Sequence, residues 1–130
     1  MAEQLHVELV AADRTVWSGE ATMVIARTVD GDIGVLRNHA PLLSLLTDAN
    51  TEIYTEDGGV VVAVVDGGFI SVANNRVSIL SERAVLAEDV KIDQAKAELE
   101  EAQRLVGTDD TAEQRIRRAE SRIRAVERAS

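Results

Sequence analysis

Apolar and polar positions follow two different periods along this chain. In the first two-thirds they come in short runs. Leu5, Val7 and Leu9 are interleaved with His6, Glu8 and Val10, the period of a half-buried strand. Val16-Trp17-Ser18-Gly19-Glu20 reads as a strand end and a turn, and residues 21–28 are apolar and β-branched. Residues 42–47 and 51–55 read as strands on either side of a turn at Asp48-Ala49-Asn50. Asp57-Gly58-Gly59 predicts a hairpin-type turn ahead of the apolar run 60–65, and Asp66-Gly67-Gly68 predicts another. Phe69-Ile70-Ser71-Val72 and Val77-Ser78-Ile79-Leu80 flank Asn74-Asn75, a residue type that tolerates positive φ. Many short strands at this spacing predict an antiparallel β-sandwich or barrel.

In the last third the period lengthens. Ile92, Ala95, Leu99, Ala102 and Val106 recur every three or four residues, as do Ala112, Ile116, Ala119, Ile123 and Val126. Each set is one apolar helical stripe. Gly107 suits a helix C′ position. Thr111 with Gln114, or Asp110 with Glu113, offers a capping box for the second helix. A short polar link between two striped helices predicts an antiparallel hairpin. Its narrow seam predicts that it can leave its docking place without unfolding the sheet domain. The expected division is a sandwich domain at residues 1–88 and a helical hairpin at 89–130.

Composition narrows the chemistry. The chain has 130 residues and no cysteine, which excludes thiol catalysis, cysteine-based zinc sites and disulfides. Trp17, Tyr54 and Phe69 are its three aromatics, too few to make a base-stacking platform. A net charge of −9 opposes nucleic-acid backbone binding. Met1 to Val10 lacks a basic region followed by an apolar stretch, so no targeting leader is expected. No apolar run is long enough to span a membrane, and any membrane association is expected to be indirect, through a partner.

Charge is uneven. Residues 1–88 carry 13 acids and 5 bases, and residues 89–130 carry 10 and 9. Within the second part, residues 89–110 hold seven acids and three bases, whereas 111–130 hold six arginines and three acids. One reading is mutual neutralisation across the helical seam, aided by pairs such as Glu120–Arg124. The other is a basic helix that docks onto an acidic partner when the hairpin opens, since arginine suits bidentate carboxylate contacts.

No catalytic constellation is evident. His6 lies within a strand pattern and His39 in Asn38-His39-Ala40-Pro41, with no second metal-type residue nearby in sequence. The serines lack a nucleophile elbow, and no Walker or dinucleotide loop is present. Gly31-Asp32-Ile33-Gly34 reads as a turn, and Asp30/Asp32, Glu56/Asp57 and Asp109/Asp110 read as solvated acidic turns without EF-hand spacing. No metal site and no catalytic residue are expected.

Several stretches together are specific. Val16-Trp17-Ser18-Gly19-Glu20 is followed by Gly31-Asp32-Ile33-Gly34-Val35-Leu36-Arg37-Asn38-His39-Ala40-Pro41-Leu42, then by Asp66-Gly67-Gly68-Phe69-Ile70-Ser71-Val72 and Val77-Ser78-Ile79-Leu80. With these and its acidic helix–loop–basic helix tail, the chain resembles the epsilon subunits of bacterial F-type ATP synthases over essentially its full length. The start of the chain is most similar to actinobacterial members.

That resemblance implies a sandwich of about ten strands plus a helical hairpin, in a non-catalytic rotor subunit. It implies contact with the gamma subunit, with the ring of c subunits and with the alpha/beta head. It implies coupling of rotation to ATP synthesis at the cytoplasmic face of the plasma membrane, and suppression of ATP hydrolysis by the C-terminal helices. The ring- and gamma-facing positions map to Asp30, Gly31, Asp32 and His39. The basic second helix maps to the segment that contacts the beta subunit, with Arg115, Arg118 and Arg122 as candidates. Some members bind ATP through an I/L-D-x-x-R-A motif. Here one register offers Ile92, Asp93 and Lys96, with lysine replacing arginine, and the ungapped register puts Lys91 and Gln94 where aspartate and arginine are expected. Weak or absent ATP binding is therefore expected, the alternative function being a small nucleotide-sensing module.

Overall fold

In a computed structural model, which describes residues 4–129, ten strands form two five-stranded sheets and two helices follow. Met1–Glu3, at the start of the expected 1–88 domain and of the leader reading, and Ser130 lie outside the described residues. The strands are β1 Leu5–Ala11, β2 Arg14–Ala21, β3 Met23–Thr28, β4 Gly31–Leu36, β5 Leu42–Leu45, β6 Asp48–Tyr54, β7 Val60–Asp66, β8 Phe69–Ala73, β9 Arg76–Ser81 and β10 Ala84–Leu86. A 3-10 turn, Ala87–Asp89, leads to α1 Ile92–Arg104 and α2 Ala112–Ala129.

One sheet has the order β2-β1-β9-β8-β5 and the other β10-β7-β6-β3-β4. All pairings are antiparallel except β1 with β9, where Val7 lies beside Val77 and Leu9 beside Ile79. β1 lies inside the sheet, between its hairpin partner β2 at the edge and the later, central strand β9, which enters running the same way. The sandwich core is aliphatic. Leu5, Leu9, Ile53, Ile70 and Ile79 are its largest fully buried side chains, and no residue of either helix belongs to it.

Three local readings change. Asp48-Ala49-Asn50 is not a turn but the start of β6, paired with residues 64–66 of β7. Alternation decides it: Ala49, Thr51 and Ile53 are buried inward, which turns Asp48, Asn50 and Glu52 to the other face. Gly31-Asp32-Ile33-Gly34 is strand β4, paired with β3. The run 14–21 is a whole strand, paired with β1 through a bulge at Leu9/Val10. The Asn74-Asn75 turn does have positive φ at both residues, 52° and 61°.

α1 stops at Arg104, so Val106 falls beyond it and is exposed. Gly107, at φ 91°, lies in the connection, two residues beyond the Leu105 cap. Neither expected capping box is seen at the start of α2. Instead Asp109 Oδ1 accepts from the Thr111 backbone N–H at 2.8 Å and from its hydroxyl at 2.7 Å.

Candidate functional site

β7 is apolar on both faces, and that fixes where the hairpin goes. Ala63 and Val65 face the sandwich core, while Val62 and Val64 face outward and are nonetheless buried. A run buried on both faces needs a cover, and α2 supplies it. Against Val62 and Val64 the helix sets Ala125, with Ala87, Val85 and Val90 completing a small cluster. Ser121 and Ala125, four residues apart and both fully buried, let the helix lie close to the sheet.

The rest of this seam is ionic. In the β6–β7 register, Asp48 is opposite Asp66, Asn50 opposite Val64, and Glu52 opposite Val62. Arg122 grips Asp66 in a two-pronged bond, its Nη1 donating to Oδ1 at 3.1 Å and its Nη2 to Oδ2 at 2.7 Å. Arg118 Nε lies 3.4 Å from Asp48 Oδ2 and 4.0 Å from Asp66 Oδ2. The Ser121 hydroxyl and the Asn50 amide are 2.9 Å apart. Arg128 Nε donates to Glu52 Oε2 at 2.7 Å, while Tyr54 donates to Oε1 of the same carboxylate at 2.8 Å. The spacing fits. Ten helical residues from Arg118 to Arg128 advance about 15 Å, close to the about 14 Å from Asp48 to Glu52 along a strand.

Asp66 is the most enclosed charge, with its side chain 1% exposed. It and Asp48 are like charges on directly opposed residues, a destabilising arrangement by itself. The two arginines offset it. Arg118 does so without a directed bond at Nε, which is buried and makes no hydrogen bond.

Arg115 behaves differently. It reaches across the hairpin to Glu98 at 2.6 Å, Glu101 at 3.5 Å and Asp109 at 3.6 Å. The hydrogen bond to Glu98 is the main reason its guanidinium is held above its ordinary range. Mutual neutralisation of the helices thus rests on Arg115, whereas Arg118, Arg122 and Arg128 turn to the sandwich. No Glu120–Arg124 pair occurs among the described ion pairs.

A cleft of ≈ 570 Å³ opens between β10, the 3-10 turn and the hairpin. Arg83, Lys91, Arg115, Arg118 and Arg122 line it, with Asp66, Asp89 and Glu98 opposing them. Lys91 and Gln94 reach this cleft, but Ile92, Asp93 and Lys96 do not line it, and Asp93 and Lys96 are exposed. The register Ile92, Asp93 and Lys96 is therefore not brought together with the cations of the cleft, whereas Lys91 and Gln94 of the ungapped register are.

Asp30, Gly31 and Asp32 sit at one end of β4, and His39 lies past its other end. Arg27 Nε donates to Asp32 Oδ1 at 2.8 Å, which holds that carboxyl below its ordinary range. His39 Nδ1 donates to the Ala40 carbonyl at 2.7 Å. His6 lies between Glu20 and Glu8, at 3.2 and 3.4 Å. Among the described residues no three His, Asp or Glu side chains are placed to hold a metal ion. No described helix is long and apolar enough to cross a membrane.

The outer face of the β2–β5 sheet carries an apolar row. Leu45 is paired with Phe69 and Phe69 with Leu80, and all three are about half exposed. Val29, whose N–H donates to the Leu45 carbonyl, extends the row toward Asp30.

The family model described as ATP synthase, Delta/Epsilon chain, beta-sandwich domain matches residues 4–87. This chain belongs to the ATP synthase epsilon family. Among its relatives, an ATP synthase epsilon chain of Streptomyces avermitilis is 56% identical over 126 residues, covering 97% of this chain and 98% of that one. The epsilon chain of Rhodococcus jostii is 50% identical over 130 residues, covering 99% and 100%. Both are actinobacterial, and both matches run through the helices of the epsilon chain as well as its sandwich. A chain in the solved Euglena gracilis mitochondrial ATP synthase, comprising OSCP, F1 and the c-ring, superposes with a TM-score of 0.79 at 25% identity. That match covers 97% of this chain and 81% of the Euglena chain. A chain of the Tetrahymena thermophila central stalk and c-ring shares the fold, at a TM-score of 0.60 and 13% identity.

Arg115, Arg118 and Arg122 are visible in the sequence, but their acceptors are not. Asp48 stands in a run of turn-type residues, and Asp66 ends its strand at the Gly67-Gly68 turn. The available signal was the run 60–65, longer in its apolar character than a one-sided strand requires.

Proposed function

We propose that this chain is a non-catalytic central-stalk subunit of an F-type ATP synthase, at the cytoplasmic face of the plasma membrane. On this reading it binds the gamma subunit and the c-ring through its sandwich, and restrains ATP hydrolysis through its hairpin. The observation that carries the regulatory part is the chemistry of the α2 seam. Three arginines meet three acids around a few valines and one helical alanine, so the hairpin is held by contacts that another acidic surface can replace. The apolar row Leu45–Phe69–Leu80 supports gamma docking, since contiguous exposed apolar surface marks protein contacts. The Val29-Asp30 turn that leads into β4, with Asp32 just inside the strand, supports contact with polar loops of the ring.

In the extended state the arginines engage acidic residues of the beta subunit. Replacing Arg115, Arg118 and Arg122 with alanine should raise ATP hydrolysis by the assembled enzyme. Unchanged hydrolysis across a range of ionic strength rejects that role.

Nucleotide sensing by the hairpin is a second reading, and the cations of the cleft support it. Calorimetry of the isolated chain with millimolar ATP tests it; absence of heat removes it.

A further inference from the structure

We infer that Asp48 and Asp66 form an internal acidic dock that keeps the hairpin closed by occupying Arg118 and Arg122. The chain switches by exchanging these two arginines between its own acids and those of its partner. This inference rests on the proposed regulatory reading for the identity of the partner, but the dock itself does not.

Two opposed aspartates on neighbouring strands repel each other unless a cation lies between them. The side chains of Asp48 and Asp66 are 10% and 1% exposed, so water screens them poorly while the helix is seated. Arg122 meets Asp66 in the fork geometry that arginine makes with a carboxylate. Arg118 stands near both acids without a directed bond. The apolar part of the seam is small, with Ala125 facing Val62 and Val64. Charge, and not greasy area, therefore sets the balance between docked and undocked hairpin. Arg118 and Arg122 serve one acidic surface at a time, so any ligand for them competes with Asp48 and Asp66.

A chain without cysteine allows a direct test. Spin labels at Ser18→Cys on β2 and Gln103→Cys on α1 report hairpin position in the isolated, full-length chain by pulsed electron resonance. Asp66→Asn should raise the separated population at least about tenfold, because removing one partner strands a buried charge. Arg122→Gln, which leaves the sheet untouched, should do the same. The double variant should be no more open than either single one, since both remove one contact. Rising salt should open the native chain only modestly, because enclosed ion pairs are screened less than exposed ones. A native distance distribution in Arg122→Gln, or effects of the two substitutions that simply multiply, overturns the dock. Asp48→Asn carries the acidic side of the test if Asp66→Asn does not fold.

In the assembled enzyme the two sides then differ in size. Asp66→Asn frees both arginines and should lower ATP hydrolysis, whereas Arg122→Gln opens the hairpin but also removes one of the arginines the partner takes, and should lower it less. Shifted distances with hydrolysis unchanged in both variants reject the regulatory reading and leave the dock in place.

Discussion

A Cβ atom on Gly68 would stand 1.9 Å from the carbonyl oxygen of Leu80, closer than any side-chain carbon tolerates. Gly68 also has a φ of +108°, a region that L residues rarely adopt. The Gly67-Gly68 turn lets β7 hand over to β8 across the two sheets, and Gly68 accepts the Leu46 N–H at 2.8 Å. Gly68→Ala should destabilise the sandwich by about 3 kcal/mol or more, combining backbone strain with a clash against backbone. Urea unfolding of the two proteins checks this, and equal midpoints would refute it.

The half-exposed row Leu45–Phe69–Leu80 leads to a second expectation. Phe69→Glu places a charge at the middle of that row, on a residue already open to water. The fold should persist, since exposed positions away from special features shift stability little. Binding to the gamma subunit should weaken at least about tenfold, because a buried, unpaired charge is costly. Native-like affinity in a pull-down or calorimetric titration would remove this face from the interface.

The sandwich core draws on no residue of α1 or α2. A chain lacking residues 89–130 should therefore fold, keep its strand signal in circular dichroism, and still bind gamma. An unfolded truncation would mean that the cover over Val62 and Val64 is indispensable.

The hairpin turn should be sensitive to acid. Two hydrogen bonds from Thr111, chiefly that of its backbone N–H, hold the Asp109 carboxyl below its ordinary range. A depressed folded value means that ionised Asp109 favours the folded turn. Its contribution is complete above the unfolded value of about 3.9 and is lost as pH falls through the lower folded value. The helical signal of Asp109→Asn should accordingly change less than the native signal below about pH 4. Superimposable acid titrations would rule this out.

Much of the fold was legible because its alternation is local. β1, β7, β8 and β9 announce themselves by apolar period and by the glycine and asparagine turns between them. β4 and the start of β6 do not, because Gly31, Gly34, Asp48 and Asn50 are turn-type residues used in strands, where their partners across the sheet decide. The parallel pairing of β1 with β9 joins residues some 70 positions apart, and nothing local encodes it. The hairpin arginines stood out as a run of like charge, but their acceptors lie in β6 and β7. Which arginine faces α1 and which faces the sheet depends on how the helix is seated, a property of two surfaces at once.

The polar face of β6 has a consequence for the open chain. Lifting α2 uncovers carboxylates, an amide and two valines, a surface that water wets readily. Such a face gives neighbouring molecules little to adhere to. In the proposed opening, the uncovered face therefore offers no extended apolar patch, and the undocked protein should stay in solution at concentrations where the native chain does. A leucine-rich seam would have held the helix more firmly, at the cost of that solubility.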